Sequence, residues 1–117
     1  MKNNETYIEY KGKKAFMELA NDYTGYWKRT KKCDLRDDKY KNIQSKAINN
    51  EFSFLLGVDF VNNEFFIIDL LDRANVVTYS DYHRFYHKPA YTIHLSRIEY
   101  LDFSFENIAK KIMEFMN

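Results

Sequence analysis

The strongest pattern of apolar and polar positions lies in the middle of the chain. Two runs rich in β-branched and aromatic residues, 51–61 and 64–71, flank the pair Asn62 and Asn63. Asparagine tolerates a positive φ, so this pair predicts the tight turn of a β-hairpin. A turn centred on the pair places Phe60 opposite Phe65 and fixes the register of the hairpin.

Alternation along the hairpin divides its side chains between two faces. In the predicted register Val58 lies opposite Ile67, and the first face collects Phe52, Phe54, Leu56, Val58, Phe60, Phe65 and Ile67. The second face collects Leu55, Val61, Phe66, Ile68 and Leu70. Because both faces are rich in apolar groups, the hairpin is predicted to lie in the middle of the fold, with the first face from Phe54 onward as the centre of the core.

The segments before the hairpin predict one strand and two helices. Thr6–Tyr10 alternates around tyrosine and isoleucine, which indicates a short first strand. Residues 13–29 carry apolar side chains at helical spacing and predict an amphipathic helix with the stripe Phe16, Leu19, Ala20, Tyr23 and Trp27. Residues 30–38 are polar and are predicted to form a loop. Asp38 then caps a second helix with the stripe Tyr40, Ile43, Ala47 and Ile48.

The segments after the hairpin predict further strands and a final helix. Residues 76–79 and 91–95 are predicted strands, and residues 98–103 are a candidate fifth. Residues 80–88 are predicted as either a short helix capped by Ser80 or an irregular loop. The last helix begins after the cap Ser104 and turns inward Phe105, Ile108, Ala109, Ile112, Met113 and Met116.

These elements follow the order β-α-α-β-β-β-(β)-α, in which helices and strands fall in blocks. Blocks of this kind indicate the α+β class, with an antiparallel sheet and helices packed on it. We therefore predict one domain over residues 1–117. It has a sheet of four to five strands, a central hairpin at 51–71 and two or three helices.

Composition bears on the compartment and on the origin of the chain. Cys33 is the only cysteine, the N-terminus lacks the pattern of a signal peptide, and no apolar run approaches the ~20 residues of a membrane-spanning helix, so a cytoplasmic location is expected. Lys, Asn, Ile, Phe and Tyr supply 53 residues, whereas Gly, Ala, Arg and Pro supply 15. The first set has AT-rich codons, which indicates a low-GC bacterium or its phage.

The densest cluster of polar and aromatic residues is the segment 79–88, which contains His83 and His87. On a helix these two would share a face, the spacing that can hold a metal, with His94 or Asp81 as the nearest third ligand. Two ligands do not define a site, so no metal and no cofactor is predicted. Cys33 is read as an incidental thiol.

The same segment also suggests RNA cleavage, with histidine as acid or base and Arg84 or Lys88 stabilising phosphate charge. The predicted order helix, helix, hairpin, strand, followed by basic, histidine and tyrosine residues, loosely resembles RelE-type mRNA-cleaving toxins over residues 6–88. Such toxins are usually strongly basic, whereas this chain has a net charge of +1. The tail 91–117 has no counterpart in them.

Positive charge is concentrated in the first half of the chain. Residues 1–50 hold 12 Lys and Arg against 7 Asp and Glu, and residues 51–117 hold 6 against 10. The basic stretch 28–46 lies beside Trp27 and Tyr40, a combination that suits single-stranded nucleic acid. Nucleic-acid binding is therefore an alternative function, with the candidate contacts Lys28, Arg29, Lys31, Lys32 and Arg36. A solvated surface explains the same charges.

Tyrosine, histidine and arginine in the segment 79–88 favour a different function. Aromatic residues and arginine dominate the energetics of protein interfaces. Tyr82, Arg84, Tyr86 and His87 are therefore predicted to bind another protein. The sequence carries no complete catalytic constellation. The leading hypothesis is a non-enzymatic inhibitor or accessory factor: a counter-defence protein, such as an anti-CRISPR or anti-restriction factor, or a toxin-immunity protein. Its partner would be a defence component or a toxin.

Overall fold

Residues 6–48, 52–72 and 74–117 are described by the structure, a computed structural model. In chain order its elements are β1 (Thr6–Tyr10), β2 (Lys13–Asp22), α1 (Tyr26–Thr30), β3 (Lys32–Arg36), α2 (Asp37–Ile48), β4 (Phe52–Asp59), β5 (Glu64–Ile68), β6 (Val76–Ser80), β7 (Ala90–His94), β8 (Leu101–Asp102) and α3 (Phe105–Met116). Five strands form sheet A in the order β1-β2-β4-β5-β8. Three form sheet B in the order β3-β7-β6.

The predicted first strand is confirmed, but the helix predicted at 13–29 is wrong. Lys11 and Gly12 both have positive φ values, 51° and 76°, so they form a two-residue hairpin turn that leads β1 directly into β2. β2 then lies between β1 and β4 and is paired on both sides. This pairing outweighs the helical propensity of its residues. Only α1, which holds Trp27, is helical in the predicted range.

The central hairpin is present, with a register that differs from the prediction by two residues. Val58 pairs with Phe65 and Leu56 pairs with Ile67, so the loop holds four residues rather than two. The Asp59 carboxylate stabilises this wider loop by accepting the backbone N–H groups of Val61 and Asn62, both at 3.0 Å. The predicted register is therefore wrong.

A shift of two residues leaves every side chain on its predicted face. The first face packs against α3 in one apolar cluster, with Ala15, Phe54, Leu56, Val58, Phe65, Ile112 and Met116 buried. The second face packs in another with α1, α2 and sheet B, with Leu55, Phe66, Ile68 and Leu70 among its buried residues. Phe60 is 48 % exposed in the loop, so its predicted place at the centre of the core was wrong. Val61, predicted on the second apolar face, is exposed beside it.

Sheet B contains a strand that the sequence analysis predicted to be a loop. Within 30–38, Cys33 and Leu35 point into the core and alternate with charged residues on β3. α2 follows at once and buries Tyr40 and Ile43, as predicted for the second helix. The strands predicted at 76–79 and 91–95 are confirmed as β6 and β7.

The remaining predictions are confirmed in part. Residues 81–88 form an irregular loop, one of the two forms predicted, and only Leu101–Asp102 of the candidate fifth strand is a strand. The Ser104 side chain caps α3 by accepting the N–H of Asn107 at 3.0 Å. Ile112 and Met116 are buried, whereas Phe105, predicted to point inward, is 84 % exposed. Met113, predicted to point inward as well, is also exposed.

The α+β class and the antiparallel character of the sheets are confirmed. Within the described ranges every strand pair is antiparallel except β2 with β4, and the chain has three helices. α3 covers one face of sheet A and sheet B covers the other, which gives three layers. The edge of sheet B formed by β3 faces a groove beside α1.

Candidate functional site

A groove with a volume of about 880 Å³ opens between the end of β2, α1, β3 and the loop of residues 81–88. It is the meeting point of segments that are far apart in the sequence. Its charged lining residues are Asp22, Arg29, Asp34, Arg36 and Lys39. Its aromatic lining residues are Tyr23, Tyr26, Trp27, Phe85 and Tyr86, together with His83.

Asp22 holds α1 against the groove. Its carboxylate accepts the backbone N–H groups of Thr24 at 3.1 Å, Tyr26 at 3.3 Å and Trp27 at 3.0 Å, which satisfies donors at the start of a helix that has no side-chain cap of its own. Burial raises the pKa of Asp22, but these donors outweigh it, so the pKa lies below its ordinary value. The Asp22 carboxylate therefore has a structural role, which is to hold the first turn of α1 in place.

Asp34 on β3 joins three segments at the other wall of the groove. Its carboxylate accepts the hydroxyls of Tyr26 at 2.8 Å and Thr92 at 2.5 Å, and Nε2 of His83 lies 3.3 Å from Oδ2. Only 11 % of the Asp34 side chain is exposed. Because three donors surround it, the Asp34 carboxylate has a structural role and is not free to act as a general acid or base.

His83 fastens the loop of residues 81–88 to this carboxylate. Its Nδ1 accepts the backbone N–H groups of Phe85 at 3.1 Å and Tyr86 at 3.3 Å, which assigns the proton of the neutral ring to Nε2, the nitrogen facing Asp34. The Tyr86 hydroxyl donates to the backbone carbonyl of Asp34 at 3.1 Å. The backbone closes the loop on itself, because the His83 N–H donates to the Lys88 carbonyl and the His87 N–H to the His83 carbonyl, both at 2.8 Å.

The fastened loop turns its other side chains to solvent. Tyr82 is 61 % exposed and its hydroxyl lies 2.7 Å from Nδ1 of His87. Phe85 is 68 % exposed, and the guanidinium of Arg84 lies 5.7 Å from the centre of its ring. All four residues predicted to bind a partner, Tyr82, Arg84, Tyr86 and His87, are thus exposed, with Tyr86 at 37 %.

Of the loop's aromatic residues, Tyr86 is bonded to β3 and Phe85 was not among the predicted contacts. Tyr86, the fourth predicted contact, is tied to Asp34 by its hydroxyl. Phe85 was not predicted, because a single apolar residue in a segment expected to be a short helix or an irregular loop gives no signal of exposure.

The residues predicted to contact nucleic acid lie in different places in the structure. Arg29 and Arg36 line the groove, whereas Lys28 forms an ion pair with Glu64 and lies over the Tyr100 ring. Lys31 and Lys32 are exposed where α1 passes into β3. Trp27 and Tyr40, the aromatic residues of the basic stretch, are buried. Tyr23, which is 69 % exposed, stands in the groove instead, a residue that the sequence analysis had assigned to a core stripe.

The reactive side chains near the groove are occupied or buried. Both nitrogens of His83 face protein partners, and Nε2 of His94 lies 3.3 Å from the Thr78 hydroxyl. Burial raises the pKa of the Cys33 thiol to about 12, and Asp34 and Asp22 act in the same direction, so the reactive thiolate is not formed at neutral pH. Across the described residues no three His, Cys, Asp or Glu side chains come together as a metal site.

Comparison with known proteins adds no match, since no protein-family model, no curated protein and no solved structure resembles the chain. The element order that suggested RelE-type toxins is itself contradicted, because residues 13–22 form a strand rather than a helix. Of the helices that the structure describes, none has the length and apolar character needed to span a membrane.

Proposed function

We propose that this protein is a non-enzymatic binding module that docks a protein partner on the exposed side of the loop of residues 81–88 and the adjoining groove. The observation that carries the proposal is the combination of a fastened backbone with exposed aromatic rings. His83 and Tyr86 tie the loop to Asp34, while Tyr82 and Phe85 remain open to solvent. Ordering such a loop in advance removes an entropic cost that binding would otherwise carry.

The exposed rings of Tyr82 and Phe85 contact histidines of their own loop and leave apolar area that a partner can cover. Tyrosine, phenylalanine and arginine are the anchor types of protein interfaces, and here Arg84 lies over the Phe85 ring in the same loop that exposes Tyr82. The occupied nitrogens of His83 and the buried thiol of Cys33 favour binding over catalysis. They are the groups that a reaction at this groove would otherwise recruit.

The partner class that we propose is a defence component or a toxin of a low-GC bacterium. The amino-acid composition, biased towards residues with AT-rich codons, and the occupied His83 and buried Cys33 beside the proposed surface support a counter-defence or immunity protein. Small inhibitors of this kind act by occupying a surface of their target. The affinity of such an inhibitor for its target would then depend on the side chains at the interface rather than on a cofactor.

The double variant Tyr82→Ala, Arg84→Ala tests the proposed surface. We expect it to fold with an unchanged melting temperature and to bind its partner at least about 30-fold more weakly, which corresponds to the loss of about 2 kcal/mol or more from interface anchors. The partner is identified by affinity capture from the source organism and mass spectrometry. Its affinity is then measured by calorimetry with both proteins purified.

Phe105→Ala is the control, because Phe105 is another strongly exposed aromatic residue, on α3 and outside the lining of the groove. It should bind like the unaltered protein. If the Tyr82 and Arg84 variant binds as tightly as the control, or if it unfolds while its folded fraction binds normally, the proposed surface is wrong.

A second function, binding of single-stranded nucleic acid, is favoured by one observation. Arg29, Arg36 and Lys39 line the same groove as the exposed ring of Tyr23, which brings phosphate contacts and a stacking surface together. Arg36 and Lys39 are also paired with Asp38 and Glu18, both at 3.5 Å. These partners reduce the positive potential that phosphates would meet.

We expect no tight binding of DNA or RNA at physiological salt in a gel-shift assay. Were the groove to bind a single strand, the affinity would fall steeply with salt, with a slope of about −0.7 in log K for each phosphate neutralised. The variant Arg29→Glu, Arg36→Glu would then abolish binding, and Lys110→Glu on α3 would not. A sub-micromolar, salt-sensitive complex with this pattern would place nucleic acid ahead of protein.

A further inference from the structure

β6 is an edge strand of sheet B, and in the described part of the chain only β7 pairs with it. It is well exposed, since Val76 and Tyr79 each have 54 % of their surface in contact with solvent. An edge strand presents unpaired N–H and C=O groups that can pair with another strand. Which residues present them depends on the phase of the hydrogen-bond ladder.

The phase of the ladder follows from two bonds at the ends of β3 and β7. The N–H of Leu95 donates to the carbonyl of Lys31 at 2.8 Å, and the N–H of Asp37 donates to the carbonyl of Pro89 at 3.1 Å. Hydrogen-bonded pairs alternate along an antiparallel ladder, so the odd-numbered residues of β7 bond to β3 and its even-numbered residues bond to β6.

The same alternation then fixes the free edge of β6. Its even-numbered residues pair with β7, so the N–H and C=O groups of Val77 and Tyr79 point outward. The same alternation directs the carbonyl of Asp34 outward on β3, the opposite edge of sheet B. This agrees with the observed bond, since that carbonyl accepts the Tyr86 hydroxyl.

β6 differs from the other edge strands in having no charged residue. Natural proteins protect sheet edges with charges, short strands or covering groups. β1 carries Glu9, the two-residue β8 carries Asp102, and β3 carries three charged residues as well as the hydroxyl of Tyr86. β6 reads Val-Val-Thr-Tyr-Ser, with neither a charge nor a proline. Among the described edge strands, β6 therefore has the fewest features that prevent pairing with another strand.

We propose that β6 pairs with β6 of a second copy of this chain, antiparallel about a two-fold axis at Thr78. In this register Val77 of each copy lies opposite Tyr79 of the other, and both residues have their backbone groups directed outward. The two pairs exchange four backbone hydrogen bonds. Sheet B of one copy continues into sheet B of the other as a single six-stranded sheet.

The side chains of the strand suit pairing with itself. Val77 meets the Tyr79 ring on the core side, an aromatic and β-branched pair, and Val76 faces Ser80 on the outer side. Thr78 faces Thr78 at a position without backbone bonds, where opposed residues come closest and two threonines can hydrogen-bond. No like charges are opposed. A strand of another protein could bond to the same free N–H and C=O groups of β6. Only a second copy of β6, however, places the same pair, Val77 opposite Tyr79, on both sides of the two-fold axis.

The proposal concerns assembly and stands independently of the partner proposed for the groove. Edge pairing alone buries less area than a standard interface, so we expect a dissociation constant on the order of 10–100 µM. Sedimentation velocity of the purified full chain over a concentration series should show a monomer giving way to a dimer. A chain that stays monomeric throughout the series, well above that range, overturns the proposal.

Charge reversal at Thr78 tests the register. Thr78 is exposed, and so is the 3.3 Å contact of its hydroxyl with Nε2 of His94, so both Thr78→Lys and Thr78→Glu should keep the circular dichroism spectrum and melt close to the temperature of the unaltered chain. Each variant alone should be monomeric, because its new charge faces an identical charge on the other copy. An equimolar mixture of the two should dimerise again, because opposite charges then meet across the axis.

The control Ser45→Lys adds the same charge at an exposed position on α2 and should dimerise like the unaltered chain. A Thr78→Lys variant that still forms dimers overturns the proposed interface. A mixture of the two Thr78 variants that stays monomeric overturns the two-fold register.

Discussion

Phe54→Ala is expected to lower the free energy of unfolding by about 3–5 kcal/mol, a large part of the stability of an ordinary small domain. Phe54 lies on β4 and is fully buried in the first apolar cluster, where its ring meets Phe115 of α3 edge to face at 5.3 Å. Removing the ring loses its apolar burial and leaves a cavity that its neighbours on a sheet and a helix cannot fill. Urea unfolding followed by tryptophan fluorescence measures the change through the buried Trp27.

Phe60→Ala is the comparison that distinguishes the two hairpin registers. In the observed register Phe60 stands in the loop, half-exposed, with its ring stacked on Tyr23 at 4.8 Å. Its loss should cost about 1 kcal/mol or less, the order of one aromatic pair. If Phe60→Ala were as costly as Phe54→Ala, Phe60 would be a core residue and the four-residue loop would be wrong.

Gly57→Ala is expected to destabilise the protein by about 1–3 kcal/mol or more, although it adds only one methyl group. Gly57 lies in the middle of β4 opposite Phe66 of β5, and the Phe66 ring lies over the glycine. A Cβ atom at this position would overlap the ring, which is itself fully buried in the second apolar cluster. The ring has no free space to enter, so the strands must separate or the ring must leave its rotamer.

A double variant tests whether the Phe66 ring causes this loss of stability. Gly57→Ala in a Phe66→Leu background should cost much less than Gly57→Ala alone, because the smaller side chain leaves room for the methyl group. Ser53→Ala in the same strand is the matched control. Its buried hydroxyl has no hydrogen-bond partner among the described residues, so its removal should be close to neutral. Equal costs in both backgrounds would show that backbone conformation, and not the ring, requires glycine.

The local pattern of the sequence was sufficient for the elements whose signal is contained in a few neighbouring residues. β1, α2, β6, β7 and the capped helix α3 have the periodicity and turn residues that predict them. The division of the central hairpin into two apolar faces was also predicted. It holds although the register was wrong, because a slip of two residues preserves the side of every side chain.

β2 and β3 show where local pattern misleads. Residues 13–22 have helix-forming residues at helical spacing, yet the turn at Lys11 and Gly12 and the place between β1 and β4 make them a strand. The signal for the turn was present in the glycine, but its effect depends on a partner strand. In β3 the inward pair Cys33 and Leu35 was too short an alternation to stand out among charged neighbours.

The candidate site could be predicted as two separate sets of residues but not as one groove. The sequence indicated the aromatic segment that contains Tyr82 and, separately, the basic stretch that contains Arg29 and Arg36. Their meeting depends on Asp34, which is bonded to Thr92 and, through its carbonyl, to Tyr86, 52 positions away in the chain.

Composition and periodicity thus determined the α+β class, the apolar faces and the residue types available for binding, because these follow from the chemistry of neighbouring residues. Tertiary structure alone decided which rings are exposed, as with Phe85 and Phe105, and which charges are already paired, as with Lys28. Exposure and pairing are properties of groups distant in sequence, and only the packing of the sheets and helices brings those groups together.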